Sequence, residues 1–169
     1  MNRSDRGFTL GELLAVIAVV AILGGLAIPL FLRTVQTYRL EGAAQKIAGD
    51  LRYAQSLAIA QGVLYRLHSG DDPPGTEPGR YRLEQSTNGG TSWNAVTVWY
   101  ALSSEFQGAG IASIRDSAGI PVTVYEVRFN SRGVCVNPGA VTYPINIVTS
   151  AEAGTRTIQV TRTGNLRIL

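Results

Sequence analysis

The chain has 169 residues, of which 45% are hydrophobic and 16% are charged, so its composition is that of a folded chain and not of a disordered one. The formal net charge of +3 is too small to indicate nucleic-acid binding by itself. A single cysteine, Cys135, excludes an intrachain disulfide and a zinc site built from thiolates. The length allows one modest domain with an appendage.

The chain begins with a short charged leader, MNRSDRG (residues 1–7), and an apolar segment follows at residues 8–32. A helix rises about 1.5 Å per residue and a bilayer core is about 30 Å thick, so roughly 20 apolar residues suffice to cross it. We therefore predict a transmembrane helix over residues 8–32, because a chain of this size offers no core that would surround such a helix on all sides. Arg3 and Arg6 favour a cytoplasmic N-terminus. The segment is too long for an ordinary secretory signal, so we expect it to be retained.

Glu12 is the one charged residue within the apolar segment. A carboxylate without a partner inside a bilayer costs roughly 2.5 to 3.5 kcal/mol on insertion scales, so such residues usually have a partner and a function. Two interpretations stay open: the side chain reaches the headgroups, or it pairs with a cation. The segment has no basic side chain before Arg33, but cleavage before Phe8 would create an α-amine that could pair with the carboxylate.

The stretch RGFTLGELL resembles the class III signal of type IV pilins and pseudopilins, in which a short basic leader ending in glycine precedes a hydrophobic helix. The resemblance implies that a prepilin peptidase cleaves between Gly7 and Phe8 on the cytoplasmic side and N-methylates Phe8. It also implies that Glu12 pairs with the N-terminal amine of a neighbouring subunit, so that residues 8–32 serve as an assembly helix. Gly11 departs from the family, which usually has a large aliphatic residue there, but the cleavage motif is intact.

Residues 33–62 predict an amphipathic continuation of the helix. Apolar residues recur there at intervals of three and four, which is the helical period. Gly62 is suited to cap the C-terminus of the helix. We expect the apolar stripe to pack on the chain's own globular domain. The stripe consists of Leu40, Ala44, Ile47, Leu51, Ala54 and Ala58.

From Val63 onward apolar and polar residues alternate, which predicts a β domain over residues 63–169. One predicted hairpin has arms at residues 81–85 and 96–100 around the turn Asn88-Gly89.

Three further segments complete the predicted β domain. The stretch VTVYEVRFNSRGVCV predicts a strand with a turn at residues 131–133, and RTIQVTRTGNLRIL predicts a hairpin that turns at Gly164-Asn165. Residues 103–121 are expected to be a long connection. The loop GDDPPGTEPG carries acidic residues that suit calcium chemically, but their spacing matches no EF-hand, so we interpret it as a solvated loop. These residues are Asp71, Asp72 and Glu77.

A long N-terminal helix followed by VRFNSRGVCV and a terminal RTIQVTRTGNLRI resembles the GspH/FimT family of minor pseudopilins and minor pilins. The resemblance implies an α+β fold in which the first half of the helix is transmembrane and the second half packs on an antiparallel β-sheet domain. It implies a bacterial inner-membrane location, single-pass, with the N-terminus cytoplasmic and the C-terminal domain periplasmic, before assembly into a pseudopilus or pilus. The implied partners are other pilins or pseudopilins, the prepilin peptidase and inner-membrane lipid.

The sequence contains no recognisable catalytic constellation, so we interpret the protein as a non-enzyme without a metal or cofactor. His68 is the sole histidine, and it has no cysteine or carboxylate at a recognisable ligand or triad spacing. Neither a Gly-x-Ser-x-Gly elbow nor a phosphate-binding glycine loop occurs. Cys135 lies between two valines in an expected strand, where we predict a small buried hydrophobe.

Three functions stay open at this point. The main hypothesis is a structural subunit of a type II secretion pseudopilus. The second is a minor pilin that primes or caps a type IV pilus, and it shares every sequence feature with the first. The third is a DNA receptor displayed on such a pilus.

The DNA hypothesis depends on arginines near the C-terminus, where residues 153–169 contain no carboxylate side chain. Arg156 and Arg162 fall on one strand face by the period of two, and Arg167 follows the predicted turn. Some FimT-like minor pilins bind DNA through a Gly-Arg-x-Arg pattern, but the stretch here is Gly-Asn-Leu-Arg, so the first arginine is missing. The alternative is a set of arginines on a solvated sheet edge, where charge discourages aggregation.

Overall fold

The computed structural model describes residues 9–70, 79–122 and 125–169, without the side chains of residues 26, 27, 29 and 30. The chain divides into two compact units, Met1–Val35 and Gln36–Leu169. Helix α1, Leu10–Gln61, begins in the first unit and ends in the second. Within the described residues, no helix meets the length and apolarity needed to cross a bilayer.

The second unit contains two antiparallel sheets and the short helix α2. The first sheet has five strands in the order β3-β2-β1-β6, with β4 also paired to β2, and the second has four in the order β5-β7-β8-β9. In chain order the elements are β1 Leu64–Ser69, β2 Arg80–Ser86, β3 Asn94–Ala95, β4 Tyr100–Ala101, α2 Leu102–Glu105, β5 Gly110–Arg115, β6 Glu126–Phe129, β7 Ile145–Ala151, β8 Gly154–Val160 and β9 Leu166–Ile168.

The second half of α1 packs on the sheets through the stripe that the sequence predicts. All six stripe residues are buried, and all of them except Leu40 belong to one core with residues from both sheets, such as Leu67 and Ile147. Gly62 ends the helix at a φ of 71°, and its N–H donates to the carbonyl of Ala58 at 3.0 Å. Small alanines on the stripe allow close approach of helix and sheet, and the expected packing of the helix on the β-sheet domain is confirmed.

The second sheet contributes a row of isoleucines to the core. Ile114, Ile147, Ile158 and Ile168 lie directly opposite one another across the four strands. Side chains alternate between the faces of a strand, so the residues on either side of each isoleucine face away from the core. This row fixes the register of the sheet, because a slip by one residue would turn every isoleucine to solvent.

The predicted hairpin after β2 forms only in part. Instead of one arm at residues 96–100, two short strands, β3 and β4, pair with β2 at separate points. Between these two strands, the carbonyl of Leu83 accepts hydrogen bonds from the N–H groups of both Val96 and Thr97. The N–H of Leu83 donates to the hydroxyl of Thr97 instead of to a backbone carbonyl. The chain therefore bulges out of the ladder here, and Val98 is 85% exposed.

The expectation of a long connection at residues 103–121 is wrong, because this stretch contains most of α2 and all of β5. Strand β5 lies at a sheet edge and buries only Ile114, so it lacks the alternation that marks a strand. The turn after β6 and the hairpin turn between β8 and β9 are confirmed, with Gly133 and Gly164 both at positive φ.

Candidate assembly segment and charged clusters

The N-terminal end of α1 is capped by Thr9 and Glu12, because the side chain of each residue accepts a hydrogen bond from the backbone N–H of the other. The Thr9 hydroxyl accepts from the Glu12 N–H at 3.2 Å, and the Glu12 carboxylate accepts from the Thr9 N–H and hydroxyl, each at 3.0 Å. This is a capping box, which satisfies backbone donors that the first turn of a helix leaves unpaired. Gly7 and Phe8, the predicted cleavage and methylation residues, lie outside the described residues.

In the first unit, the large apolar side chains of α1 are exposed. Twelve large apolar residues of α1, from Leu10 to Leu32, are each at least 54% exposed. Glu12 forms no ion pair with any residue in the described part of the chain, and its capping hydrogen bonds use one carboxylate oxygen, Oε2. A carboxylate has acceptor sites on both oxygens, so the group has capacity for a further donor.

The three arginines considered for DNA binding do not share one face. The Nε atom of Arg156 lies 3.0 Å from the carboxylate of Glu41 on α1, so this side chain is engaged on the helix side of the sheet. Arg167 lies opposite Gln159 in the register, between core residues, and therefore faces away from the helix. Arg162 is exposed in the turn after β8.

The outer face of the first sheet carries a charged cluster that the sequence analysis missed. Arg66 on β1 lies between two buried carboxylates, and its guanidinium is 2.5 Å from both Glu84 on β2 and Glu126 on β6. Arg82 contacts Glu84 at 2.5 Å, and Arg128 contacts Glu126 at 2.7 Å. Each carboxylate is thus paired with two guanidinium groups.

Two tryptophans cover these guanidinium groups. Trp93 lies over Arg66 at 4.1 Å and over Arg128 at 4.7 Å, and Trp99 lies over Arg82 at 4.3 Å. Such cation–π contacts are worth about 0.5 to 2 kcal/mol each, depending on how far they are desolvated. We call this set the Arg–Trp cluster, and it consists of Arg66, Arg82, Glu84, Trp93, Trp99, Glu126 and Arg128.

The electrostatics of the Arg–Trp cluster favour the ionised form of Glu84. Burial alone would raise the pKa of Glu84, but the neighbouring His68, Arg66 and Arg82 outweigh it and lower the pKa to about 2. The cluster holds the segment that contains both tryptophans against the sheet. One signal in the sequence could have found it: the charged residues of β1, β2 and β6 share one alternation phase, so they face the same side once the strands pair.

The two turns that carry the family resemblance meet at one side chain of α1. The Gln55 amide donates to the carbonyl of Gly133 at 2.8 Å and to the carbonyl of Gly164 at 3.1 Å. A Cβ on Gly164 would collide with the Gln55 amide and with the carbonyl oxygen of Gly133, so this close approach requires glycine. The geometry gives both glycines a structural role.

Cys135 and the remaining titratable groups offer no reactive centre among the described residues. Burial raises the pKa of the Cys135 thiol to about 12, so the thiol is protonated and unreactive at neutral pH, in agreement with its predicted core role. No group of three or more His, Cys, Asp or Glu side chains could hold a metal ion in the described residues. The acidic loop considered for calcium, residues 71–78, lies outside them.

The fold is similar to that of two solved pilin-like proteins. The minor pseudopilin EpsH from the type 2 secretion system of Vibrio cholerae superposes with a TM-score of 0.54 at 15% identity, covering 78% of this chain and 96% of that chain. The type IV minor pilin FimU of Pseudomonas aeruginosa superposes with a TM-score of 0.52 at 15% identity, covering 79% of this chain and 90% of that chain. The α+β fold expected from the sequence is therefore confirmed, and it is the fold of these two pilin-like proteins.

The family is shown by two matches along the chain. Residues 43–164 match the family described as Type II transport protein GspH, and residues 2–28 match the prokaryotic N-terminal methylation motif. Because the first match covers more than half of the chain, the protein belongs to the GspH family. The curated Type II secretion system protein H of Xanthomonas campestris pv. campestris is 39% identical over 66 residues, which are 39% of this chain and 39% of that protein. The match therefore spans about two fifths of that relative's length.

Proposed function

We propose that this GspH-family chain is a minor pseudopilin, a structural and non-enzymatic subunit of a type II secretion pseudopilus. The observation that carries the proposal is the joint presence of a GspH-type domain and an N-terminal methylation motif in one chain. The fold it shares with a minor pseudopilin supports the same function, and the fold it shares with FimU gives weight to a minor pilin of a type IV pilus as the alternative.

Maturation begins at the leader. A prepilin peptidase removes residues 1–7 by cleavage between Gly7 and Phe8 and methylates the new amine on Phe8. Residues 8–32 anchor the chain in the inner membrane, with lipid around the apolar side chains until assembly, and residues 33–169 lie in the periplasm. The exposed apolar side chains of α1 support this role, because large exposed apolar surfaces mark interaction or membrane sites.

Assembly depends on Glu12, which pairs with the N-terminal amine of a neighbouring pilin or pseudopilin in the filament. The capping box leaves the carboxylate at the start of the helix with acceptor capacity to spare and without an ion-pair partner among the described residues. In this proposal the partner cation is the N-terminal amine of another subunit. A charge pair of this kind in a low-dielectric filament core is stronger than the same pair in water.

Intact-mass measurement of the membrane-extracted protein tests maturation. The expected mass is that of residues 8–169 with one added methyl group. A mass that still includes Met1 to Gly7, in a strain with active prepilin peptidase, would contradict this part of the proposal.

Deletion of the gene, followed by quantitative proteomics of the culture supernatant, separates the two pathways. We expect type II substrates to accumulate in the periplasm and to return to the supernatant on complementation. Normal secretion together with loss of surface pili and twitching would instead assign the protein to a type IV pilus.

A further inference from the structure

The Gln55 contact brings two turns and one face of α1 together at the C-terminal end of the helix. Because one amide group donates to both Gly133 and Gly164, the turn after β6 and the turn after β8 lie side by side. Arg132 and Arg162 lie in these turns, and both side chains are exposed. The carbonyl of Arg162 also accepts from the Cys135 N–H at 2.9 Å, which joins the two turns a second time.

The helix adds two exposed side chains to the same place. Arg52 and Ile59 lie three residues before and four residues after Gln55, so they share its face of the helix. Ile59 is 53% exposed, and a Cβ on Gly133 would lie 2.9 Å from its side chain, which places it beside the first turn. We call this surface the arginine patch, and it consists of Arg52, Ile59, Arg132 and Arg162.

The charge of the arginine patch is uncompensated. Residues 51–61, 130–136 and 161–165, which form the helix end and the two turns, contain three arginines and no carboxylate side chain. None of the three guanidinium groups forms an ion pair within the described part of the chain. Arg156 and the arginines of the Arg–Trp cluster, in contrast, are all paired with a carboxylate of their own chain.

The backbone beneath the patch is rigid. The Asn130 side chain accepts from the N–H groups of Arg132 and Val134, at 2.9 and 3.1 Å. In the second turn, the Thr161 hydroxyl accepts from the Asn165 N–H at 3.1 Å. Turns held by their own side chains lose little backbone entropy when a partner binds, so the backbone that carries Arg132 and Arg162 is preorganised.

We propose that the arginine patch is a docking site for an acidic segment of a partner protein, with carboxylates on the guanidinium groups and an apolar side chain against Ile59. Guanidinium groups bind carboxylates in a bidentate manner, which gives geometric specificity as well as charge. An exposed isoleucine among the arginines fits a peptide, because a nucleic-acid backbone offers it no apolar contact. The proposal goes beyond the proposed function and holds for a pseudopilus or a pilus alike.

The test measures binding of a fluorescein-labelled octaglutamate peptide by fluorescence anisotropy, with the full chain solubilised in a non-ionic detergent. We expect salt-sensitive binding, weakened at least about tenfold in the triple variant R52A/R132A/R162A, because losing even one hydrogen bond to a charged group weakens binding by about this factor. The control variant R115A/R167A removes two arginines outside the patch and should bind within about twofold of the unmodified chain. The lysine variant R52K/R132K/R162K keeps the positive charge but not the planar guanidinium group. Its affinity for the peptide should lie between the affinities of the triple alanine variant and the control variant.

Three results would overturn the proposal. The first is unchanged peptide binding by the triple alanine variant, with its thermal midpoint equal to that of the unmodified chain. The second is tighter binding of a labelled single-stranded octanucleotide than of the peptide, which would assign the patch to nucleic acid. The third is no binding of the peptide at protein concentrations up to about 1 mM, where even weak complexes form.

Discussion

Carboxylates occur in two opposite settings in this protein. In the Arg–Trp cluster, Glu84 and Glu126 are buried, and each is paired with two guanidinium groups of its own chain. In the first unit, Glu12 is exposed in an apolar helix, and its hydrogen bonds within the described residues go to Thr9 alone. The first sheet supplies counter-ions for these two acids, whereas the described residues of the apolar helix supply none for Glu12.

This difference separates a structural charge from an assembly charge. A buried carboxylate with internal partners is complete in the isolated chain, so its removal should damage folding. If another subunit supplies the counter-ion of Glu12, as we propose, removal of this carboxylate should leave the fold intact and damage assembly.

Glu126→Ala should cause the largest loss of stability. It leaves Arg66 and Arg128 without a common carboxylate on the covered sheet face, and breaking a buried pair in this way costs about 3 to 5 kcal/mol. Denaturant unfolding of the purified chain measures the loss. Glu152→Gln, at an exposed turn, is the matched control and should change stability by no more than about 0.5 kcal/mol. A small effect of Glu126→Ala would mean that the Arg–Trp cluster contributes little to the stability of the fold.

Acid should weaken the same cluster within a defined pH window. The folded-state pKa of Glu84 is lowered to about 2 from an ordinary value of 4.5, because its arginine and histidine neighbours outweigh burial. A lowered pKa stabilises the fold fully above the unfolded value, and this contribution disappears as the pH falls from about 4.5 toward 2. Unfolding free energies measured across this window should fall less steeply in Glu84→Gln. Curves of unfolding free energy against pH that run parallel for Glu84→Gln and the unmodified chain would contradict the lowered pKa of Glu84.

Gln55→Ala should have an intermediate effect. The carbonyls of Gly133 and Gly164 lose the donor that joins the two turns, and buried groups left unpaired cost about 1 to 3 kcal/mol. Thermal unfolding with Gln45→Ala as the control measures the effect, because Gln45 is an exposed glutamine on the same helix. An equal midpoint for both variants would remove the structural role assigned to Gln55.

Arg156→Ala should have the smallest effect. Its ion pair with Glu41 is partly solvated on both sides, and pairs of this kind contribute about 0 to 1 kcal/mol. A double-mutant cycle with Glu41→Gln isolates the pair. A coupling energy well above this range would place Arg156 among the structural charges of the Arg–Trp cluster.

The sequence predicted those features that depend on local signals. The stripe from Leu40 to Ala58, the end of α1 at Gly62 and the turns at Gly133 and Gly164 each follow from periodicity or from backbone conformations that favour glycine. The central strand β7 was missed although Ile145, Ile147 and Thr149 alternate toward the core.

Other features depend on pairing between distant segments, and the alternation within each strand does not show which strands become neighbours. The Arg–Trp cluster exists only because β1, β2 and β6 become neighbours, so Arg66 meets Glu126 from 60 residues away. The break between β3 and β4 depends on a bulge opposite Leu83, and no local composition marks it. The capping role of Glu12, in contrast, is a local feature that the Thr-x-x-Glu spacing of residues 9 to 12 indicates.

The most direct test of the assembly function is the incorporation of Glu12 variants into filaments, measured by quantitative pull-down of the tagged chain from sheared filaments. Glutamine keeps the capping box but removes the charge, so Glu12→Gln and Glu12→Ala should both be cleaved normally yet incorporate at least about tenfold less, because an unpaired charge costs about 3 to 5 kcal/mol. Thr9→Ala, which breaks the capping box and keeps the carboxylate, should incorporate nearly as well as the unmodified chain. Normal incorporation of Glu12→Gln alongside failure of Glu12→Ala and Thr9→Ala would show that Glu12 only caps its own helix, and would contradict the assembly pair.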